Sequence, residues 1–337
     1  MKKALFFKSL DQKKVQCMLC PHQCIIYPEK TGICQVRKNI DGILYSLVYG
    51  KPVAKSIDPI EKKPLFHFYP GSKSYSIATV GCNMKCKHCQ NYDISQSSVD
   101  ESFDQFVSPE EIVQSAVASH STSIAYTYTE PTIYYEYAYD IAKIAHEHNL
   151  KNVFVTNGYI TTEALDYIAP LIDGANIDLK SMRDEFYTSI CGSHLQPVLD
   201  SIQRYHEHGI WVEITTLIIP GYNDKKDELK QIAEFIYHLD KNIPWHVTGF
   251  HPTYKLTNAP STKPTQLEQA VDIGKKVGLK YIYQGNILQG EDTICPTCGT
   301  LLIKRRGFSI QENNINQGKC PSCQLSISGK MVDVKEE

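Results

Sequence analysis

Cys82-Asn83-Met84-Lys85-Cys86-Lys87-His88-Cys89 sets three thiols at a C-x3-C-x2-C spacing. Gly81 precedes them and Gln90-Asn91-Tyr92 follows. The stretch before the glycine, Ser74-Tyr75-Ser76-Ile77-Ala78-Thr79-Val80, reads as a β-strand with a small-residue tail. A loop at the C-terminal end of a strand is where α/β enzymes place their chemistry. Gly81 supplies the turn freedom that lets one tight loop present all three sulfurs.

Three thiolates differ from four in what they leave open. A fully ligated [4Fe–4S] cluster takes four cysteines, so three leave one iron free. An open metal position marks a catalytic rather than a structural site. A molecule with an amine and a carboxylate can chelate that iron, and S-adenosylmethionine carries both at its methionine end. The spacing resembles the radical S-adenosylmethionine signature, in which one electron from the cluster cleaves the S–C5′ bond and releases a 5′-deoxyadenosyl radical. The competing readings are a structural zinc loop short of one ligand, or unrelated thiols.

The chain has 337 residues, 42% of them hydrophobic, which suits an α/β barrel with small appendages. A net charge of −2 gives no bulk electrostatic case for nucleic acid or membrane binding. No apolar run reaches the roughly 18 residues of a spanning helix, so no membrane partner is expected. Lys8 and Asp11 interrupt the apolar start of the chain, which argues against a signal peptide. Twelve cysteines then suggest metal sites in a cytoplasmic protein rather than disulfides. Eleven fall in three groups, and Cys191 stands alone as an expected turn thiol.

The first group is Cys17, Cys20, Cys24 and Cys34, punctuated by Pro21 and Gly32. It suits a compact metal-bound knuckle. Zinc is the simpler closure and a second iron–sulfur cluster its rival; the spacing does not separate them. The third group is Cys295-x2-Cys298 and Cys320-x2-Cys323, which reads as a zinc ribbon, with a rubredoxin-like iron site as rival. Between its knuckles the triplet Lys304-Arg305-Arg306 is expected to be a solvated face, with an acidic partner or RNA as the alternative. The tail from Lys330 is expected to fray. His67, set among aromatics, reads as a packed histidine.

Between these groups strand and helix alternate. Strands are expected at 123–127, 152–156, 175–179, 210–218, 245–250 and 281–283, with helices between them. Ser108-Pro109-Glu110-Glu111 carries a helix start: N-cap serine, proline at the first position, glutamate at the third. Repeated βα units give parallel strands. The predicted fold is α/β: a partial (β/α)6 radical SAM barrel over 73–289, an N-terminal Cys-rich module and connector over 1–72, and a C-terminal zinc-ribbon-like module over 290–337. Tyrosines crowd 126–139, which reads as aromatic packing.

Candidate cofactor residues stand at the strand ends. Glu130 follows the second strand in Thr127-Tyr128-Thr129-Glu130-Pro131. It matches the acid of the Gly-Gly-Glu-type motif that holds the methionine ammonium, while Tyr128 and Thr129 replace the glycines. Asn157, in Thr156-Asn157-Gly158, and Asp178 with Lys180 resemble motifs of glycyl-radical-enzyme activases. There the Asp and Lys lie near the cofactor's ribose and carboxylate. Val155 occupies the place of an aspartate that helps bind a monovalent cation in those activases. Pro220, in an apolar turn, suits adenine, and His251 resembles a cofactor-contacting histidine.

Together with Lys63-Pro64-Leu65-Phe66-His67-Phe68 and Pro244-Trp245-His246, these motifs resemble the radical enzyme of the AmmeMemoRadiSam system over nearly the whole chain. That family is similar to pyruvate formate-lyase activating enzymes. The resemblance implies a [4Fe–4S] cluster, S-adenosylmethionine, a one-electron donor such as flavodoxin or ferredoxin, and association with Memo-type and AMMECR-type proteins. It implies no settled substrate. A glycyl-radical-enzyme activase and a non-catalytic metal-binding scaffold are the alternatives.

Overall fold

The computed structural model describes residues 1–99, 105–287 and 290–331. Its central sheet holds eight strands in chain order: β1 (Ala54–Pro59), β2 (Lys73–Ala78), β3 (Ser123–Tyr126), β4 (Lys151–Thr156), β5 (Gly174–Asp178), β6 (Trp211–Ile218), β7 (Trp245–Gly249) and β8 (Ile282–Gly285). From β2 to β8 every neighbouring pair is parallel. β1 pairs antiparallel with β2, from Ala54 opposite Ala78 to Pro59 opposite Lys73. The two outermost strands, β1 and β8, do not pair with each other, so the sheet stays open. β1 lies in the connector, past the alternating stretch Ile43–Tyr49 that carries the expected strand character and pairs as a strand over Ile43–Ser46; 54–59 itself was not expected as a strand. Its Lys55, Asp58 and half-exposed Ile57 give a weak apolar signal, as suits a charged edge strand.

Helices follow the strands: α1 (Pro109–Ala118), α2 (Tyr135–Glu147), α3 (Thr162–Ile168), α4 (Gln196–Glu207), α5 (Lys226–Asp240) and α6 (Pro264–Val277). The α1 start has the expected reciprocal cap. Glu111 N donates to Ser108 Oγ at 3.2 Å, and Ser108 N donates to Glu111 Oε2 at 2.7 Å. Most of the crowded tyrosines are core. Tyr126, Tyr135 and Tyr137 are buried, and their hydroxyls donate to Asn152 Oδ1, Ala164 O and Val107 O at 2.7–3.0 Å. Burying the rings gains apolar contact only because each polar tip finds an acceptor.

The segment Phe66–Phe68 seals the sheet from below. Glu213, on β6, is fully buried and receives four donors. Its Oε1 accepts from His67 N at 2.7 Å and Trp211 Nε1 at 3.0 Å; its Oε2 accepts from Phe66 N at 3.0 Å and His246 Nε2 at 2.6 Å. Burial works against this charge, but the hydrogen bond and attraction from His246 outweigh it and hold the carboxyl below its usual range. His67 packs as expected. Its Nε2 accepts from the Tyr283 hydroxyl at 2.6 Å and its Nδ1–H donates to Ser328 O at 2.7 Å, so the ring is fully used in its neutral form.

The C-terminal module is a three-stranded antiparallel sheet: β9 (Thr293–Ile294), β10 (Leu301–Arg306) and β11 (Ser309–Asn313). It shares a core with the sheet's last strand, in which Phe66, Tyr281 and Tyr283 pack with Leu302, Ile303 and Ile327. Two expectations fail here. Arg305 is not a solvated charge: it is buried, donates to Glu291 O, Thr293 Oγ1 and Phe66 O, and lies 4.4 Å over the Phe66 ring. Lys330 does not fray, because its backbone bonds to His67 O and Tyr69 N at 2.8 and 2.6 Å. The rest of the expected tail, 332–337, lies outside the described residues. The N-terminal module consists of two small antiparallel sheets, one of Phe7–Ser9, Val15–Cys17 and Ile25–Ile26, the other of Lys2–Lys3, Ile43–Ser46 and Arg37–Ile40. Among the described residues no helix is long and apolar enough to cross a membrane.

Replacing Glu213 by Gln puts an amide N–H₂ against one pair of buried donors. The expected loss is about 3–5 kcal/mol in urea unfolding, the range for breaking a buried pair on one side. His67 predicts a pH dependence. Burial, resisted in part by Glu213, pushes it down from 6.5 to about 4. Below 6.5 the unfolded chain takes up a proton that the folded chain refuses. Stability is therefore whole above that pH and drains away as pH falls toward 4, and His67→Gln should flatten this part of the curve measured by urea unfolding.

Candidate functional site

The three-thiol loop leaves the top of β2 and is held almost wholly by backbone and side chains outside it. Gly81 N donates to Ile94 O at 3.0 Å, Lys85 N to Cys191 O at 2.7 Å and Lys87 N to Ile190 O at 2.9 Å; Lys255 N donates to Lys87 O at 3.0 Å. Ile190 and Cys191 end a π-turn, Tyr187–Cys191, that closes on Gly192 at φ +69°. A π-turn widens the helix and frees carbonyls, a device frequent at functional sites. Asn83 is buried and joins three segments. Its Nδ2 donates to Tyr159 O at 2.7 Å, its Oδ1 accepts from Asn157 Nδ2 at 2.9 Å, and its carbonyl accepts from His22 Nε2 at 2.7 Å.

Donors also reach the sulfurs. Met84 N and Asn157 Nδ2 point at Cys82 Sγ from 3.4 and 3.7 Å, and the Ser95 hydroxyl meets Cys89 Sγ at 3.1 Å. Burial, with Glu130 nearby, pushes the Cys82 thiol well up; burial also raises Cys89, against Ser95. Cys86 goes the other way. The Cys191 thiol beside it, helped by Lys180, holds it below the usual thiol range in spite of burial. Cys86, His88 and Cys191 bring ligand atoms within 4.8 Å of one another, all buried. Cys191 is therefore more than a turn thiol. A lone cysteine over a hundred residues from the loop carries no spacing signal, so sequence could not pair it with Cys86.

The strand-end residues converge in part. Glu130, at the end of the turn after β3, is 1% exposed. Its Oε1 accepts from Thr132 N, Thr132 Oγ1 and Thr156 Oγ1 at 2.7–3.0 Å, and its Oε2 from Asn157 N at 2.8 Å. Burial pushes this carboxyl up despite those donors. Oε2, with one donor, keeps room for another. Tyr128 adopts φ +64°, a glycine-like conformation, although it is a tyrosine. Its carbonyl accepts from Asn91 Nδ2 at 2.7 Å, its hydroxyl donates to Asp58, and Lys63 Nζ lies 4.4 Å from its ring centre. Asp178 and Lys180 form an ion pair at 2.7 Å after β5, with Lys180 close enough to bias both Cys86 and Cys191. Pro220 is buried in the turn that Asn223 fastens by donating to Lys180 O and Leu217 O. His251 stands apart from this group: it is exposed, and its Nδ1 lies 3.4 Å from Ser261 Oγ.

The two other thiol sets differ in spacing. Cys295 Sγ is 3.6 Å from Cys323 Sγ, Cys298 Sγ is 3.6 Å from Cys320 Sγ, and all four lie within 4.8 Å of one another. A tetrahedral zinc with Zn–S bonds of about 2.3 Å sets its sulfurs about 3.8 Å apart. Cys17, Cys20, Cys24 and Cys34 line one cavity instead. Burial pushes Cys34 up to about 11 and raises Cys20 and Cys24 as well. All twelve cysteines are free thiols.

Residues 76–236 match the Radical SAM superfamily. The chain is 45% identical over 337 residues to an uncharacterised protein of Methanocaldococcus jannaschii, covering 99% of both chains. It is 21% identical to the pyruvate formate-lyase 1-activating enzyme of Escherichia coli (strain K12), over 60% of this chain and 89% of that one. A radical SAM methyltransferase from Sphaerobacter thermophilus shares the fold, with a TM-score of 0.52 at 17% identity over 69% of this chain and 71% of that chain. The matched region begins in the strand that delivers Cys82 and runs into α5, so it takes in the thiol loop and the strand ends around it. On this footing the chain belongs to the radical SAM superfamily, with distant kinship to pyruvate formate-lyase activating enzymes.

Proposed function

We propose that the chain is an AmmeMemoRadiSam-type radical enzyme in which Cys82, Cys86 and Cys89 anchor a [4Fe–4S] cluster with one iron left for S-adenosylmethionine. The family implies both groups, and the thiol loop is compatible with them. The observation that carries the reading is a loop whose position is fixed by Asn83, Asn157 and the Tyr187–Cys191 turn, leaving its three thiols free to bind metal. When bound, such a cluster supplies the electron that splits the S–C5′ bond and frees a 5′-deoxyadenosyl radical to abstract hydrogen from substrate.

The chain's own residues then have these roles. Met84 N–H, Asn157 and Ser95 orient and stabilise thiolate charge by donating to sulfur. Lys180, balanced by Asp178, adds positive charge beside Cys86. Glu130 Oε2 offers the remaining acceptor for the methionine ammonium, Asp178 and Lys180 the ribose and carboxylate side, and Pro220 an apolar rest for adenine. His251, being exposed, would have to turn inward to touch the cofactor. A flavodoxin or ferredoxin supplies the electron, Memo-type and AMMECR-type proteins are the expected partners, and a reducing cytoplasm suits twelve free thiols. Cys295, Cys298, Cys320 and Cys323 hold zinc, a reading supported by their 3.6 Å spacings.

Two observations favour second readings. The likeness to an activating enzyme favours a glycine in a partner protein as hydrogen donor. The Cys86–Cys191 contact favours Cys191 as a fourth ligand, which would close the cluster and leave a metal-binding scaffold.

Anaerobically reconstituted, reduced protein should convert S-adenosylmethionine to 5′-deoxyadenosine, read by chromatography. Cys86→Ala should abolish that product and leave the zinc content of the ribbon unchanged, since separate ligands hold the two metals. Cys191→Ala should keep the cluster and the cleavage. Loss of the cluster in Cys191→Ala, or no deoxyadenosine from fully loaded wild type, would favour the closed scaffold.

A further inference from the structure

We propose that Cys17, Cys20, Cys24 and Cys34 hold a closed iron–sulfur cluster, not zinc, in electronic contact with the Cys82–Cys89 loop. The role as electron entry rests on the proposed function above; the identity of the metal centre does not.

The four thiols come to one place through short-range backbone order. Cys17 N donates to Cys24 O at 2.9 Å, tying the end of strand Val15–Cys17 to the second knuckle. Gln23 N donates to Cys20 O at 3.0 Å and Gln35 N to Gly32 O at 2.9 Å, so each cysteine turn is closed by its own hydrogen bond. All four side chains line a single cavity. The four sulfurs stand too far apart to close on one ion. Among the described residues, no three of these sulfurs gather within 4.8 Å, whereas the ribbon's four do. Zinc needs sulfurs about 3.8 Å apart, given bonds of about 2.3 Å. A cubane places each thiolate on a different iron and so spreads them. The Cys82, Cys86 and Cys89 sulfurs likewise form no such close group of their own.

A second observation points to an anion in the cavity. Arg37 lines it and is 1% exposed. Its Nη1 donates to Glu136 at 2.9 Å and its Nη2 to Leu5 O, but its Nε–H has no partner among the described residues. A buried donor left unpaired is costly, and a thiolate-ligated, negatively charged cluster supplies acceptor sulfurs. Gly32 lines the cavity too, and a Cβ there would press on Ile26 Cδ1 at 3.3 Å and reach Cys24 Sγ at 3.6 Å.

The cavity abuts the catalytic loop. Asn83, next to Cys82, forms part of its wall, and His22 from the cysteine knuckle donates to the Asn83 carbonyl at 2.7 Å. Gly81, at φ +96°, packs so closely on the Cys34 peptide that a Cβ would come 2.9 Å from Cys34 O. One layer of backbone thus separates the two thiol sets. With Cys17, Cys20, Cys24 and Cys34 holding one cluster and Cys82, Cys86 and Cys89 the other, the first would take one electron from a donor protein and pass it to the second, returning to its oxidised state; no bond would form or break and no proton need move.

The test is metal analysis of the full chain after anaerobic reconstitution with iron and sulfide. Wild type should carry about eight irons and one zinc, against about four irons and two zincs if the N-terminal site takes zinc. The triple variant Cys82→Ala, Cys86→Ala, Cys89→Ala should keep about four irons with matching sulfide, and after dithionite reduction give the EPR signal of one isolated cluster. Fully reduced wild type should show a broadened signal from two clusters in magnetic contact. Two zincs and no iron in the triple variant overturns the cluster, and a wild-type spectrum that is a plain sum of two isolated signals overturns the contact. A wild type with only about four irons, all retained by the triple variant, would sink the proposed function while sustaining this site.

Discussion

A loop that must offer its sulfurs to metal cannot use them to hold itself in place. Its backbone has to be fixed by other parts of the chain, and in this protein the task falls to Asn83. Its backbone and side-chain carbonyls accept hydrogen bonds from His22 of the N-terminal knuckle and from Asn157 just past β4, and its amide N–H donates to the Tyr159 carbonyl beyond it. Each partner is itself fixed. Asn157 N is held by Glu130, whose other oxygen is held by Thr132 and Thr156. The carboxylate at the end of β3, the amide at the end of β4 and the thiol loop above β2 are thus one hydrogen-bonded assembly. The position of Cys82 is an outcome of that assembly rather than of local loop propensity.

A second buried carboxylate does the same at the opposite end of the sheet. Glu213 gathers Phe66 N, His67 N, Trp211 and His246, so the connector between the N-terminal module and β2 is stitched beneath the parallel strands. An unpaired charge at that depth would be strongly unfavourable, and four donors remove the difficulty. His67 reads in sequence as a packed histidine, and the aromatic segment around it is also the surface on which the C-terminal module sits.

Much of this was legible in the sequence, for physical reasons that differ by element. The seven parallel strands announce themselves because buried parallel strands are continuous apolar runs between turn residues. The α1 start was visible because its cap is local, Ser108 to Glu111. What stayed hidden depends on distant partners. Ala54–Pro59 has too polar a face to signal a strand, and only β2 makes it one. Arg305 looks like one of three surface charges until Phe66 and Glu291 bury it. Cys191 has no spacing partner, and its proximity to Cys86 arises from the fold alone. At the site, the thiols carried their own signal, but the direction of each strand-end side chain did not. Glu130 proved enclosed and His251 exposed.

The pairing of Lys330 with His67 and Tyr69, and the shared packing of Phe66 and Tyr283 with Ile303 and Ile327, bear on biogenesis. A ribosome releases the parallel strands before the last cysteine knuckle is made, and chains tend to fold from the N-terminus as they emerge. Until Cys320 and Cys323 leave the exit tunnel, the underside of the nascent sheet lacks its cover, and its aromatic residues stay within reach of chaperones. Closure of that core then waits on a segment translated after the strands it covers.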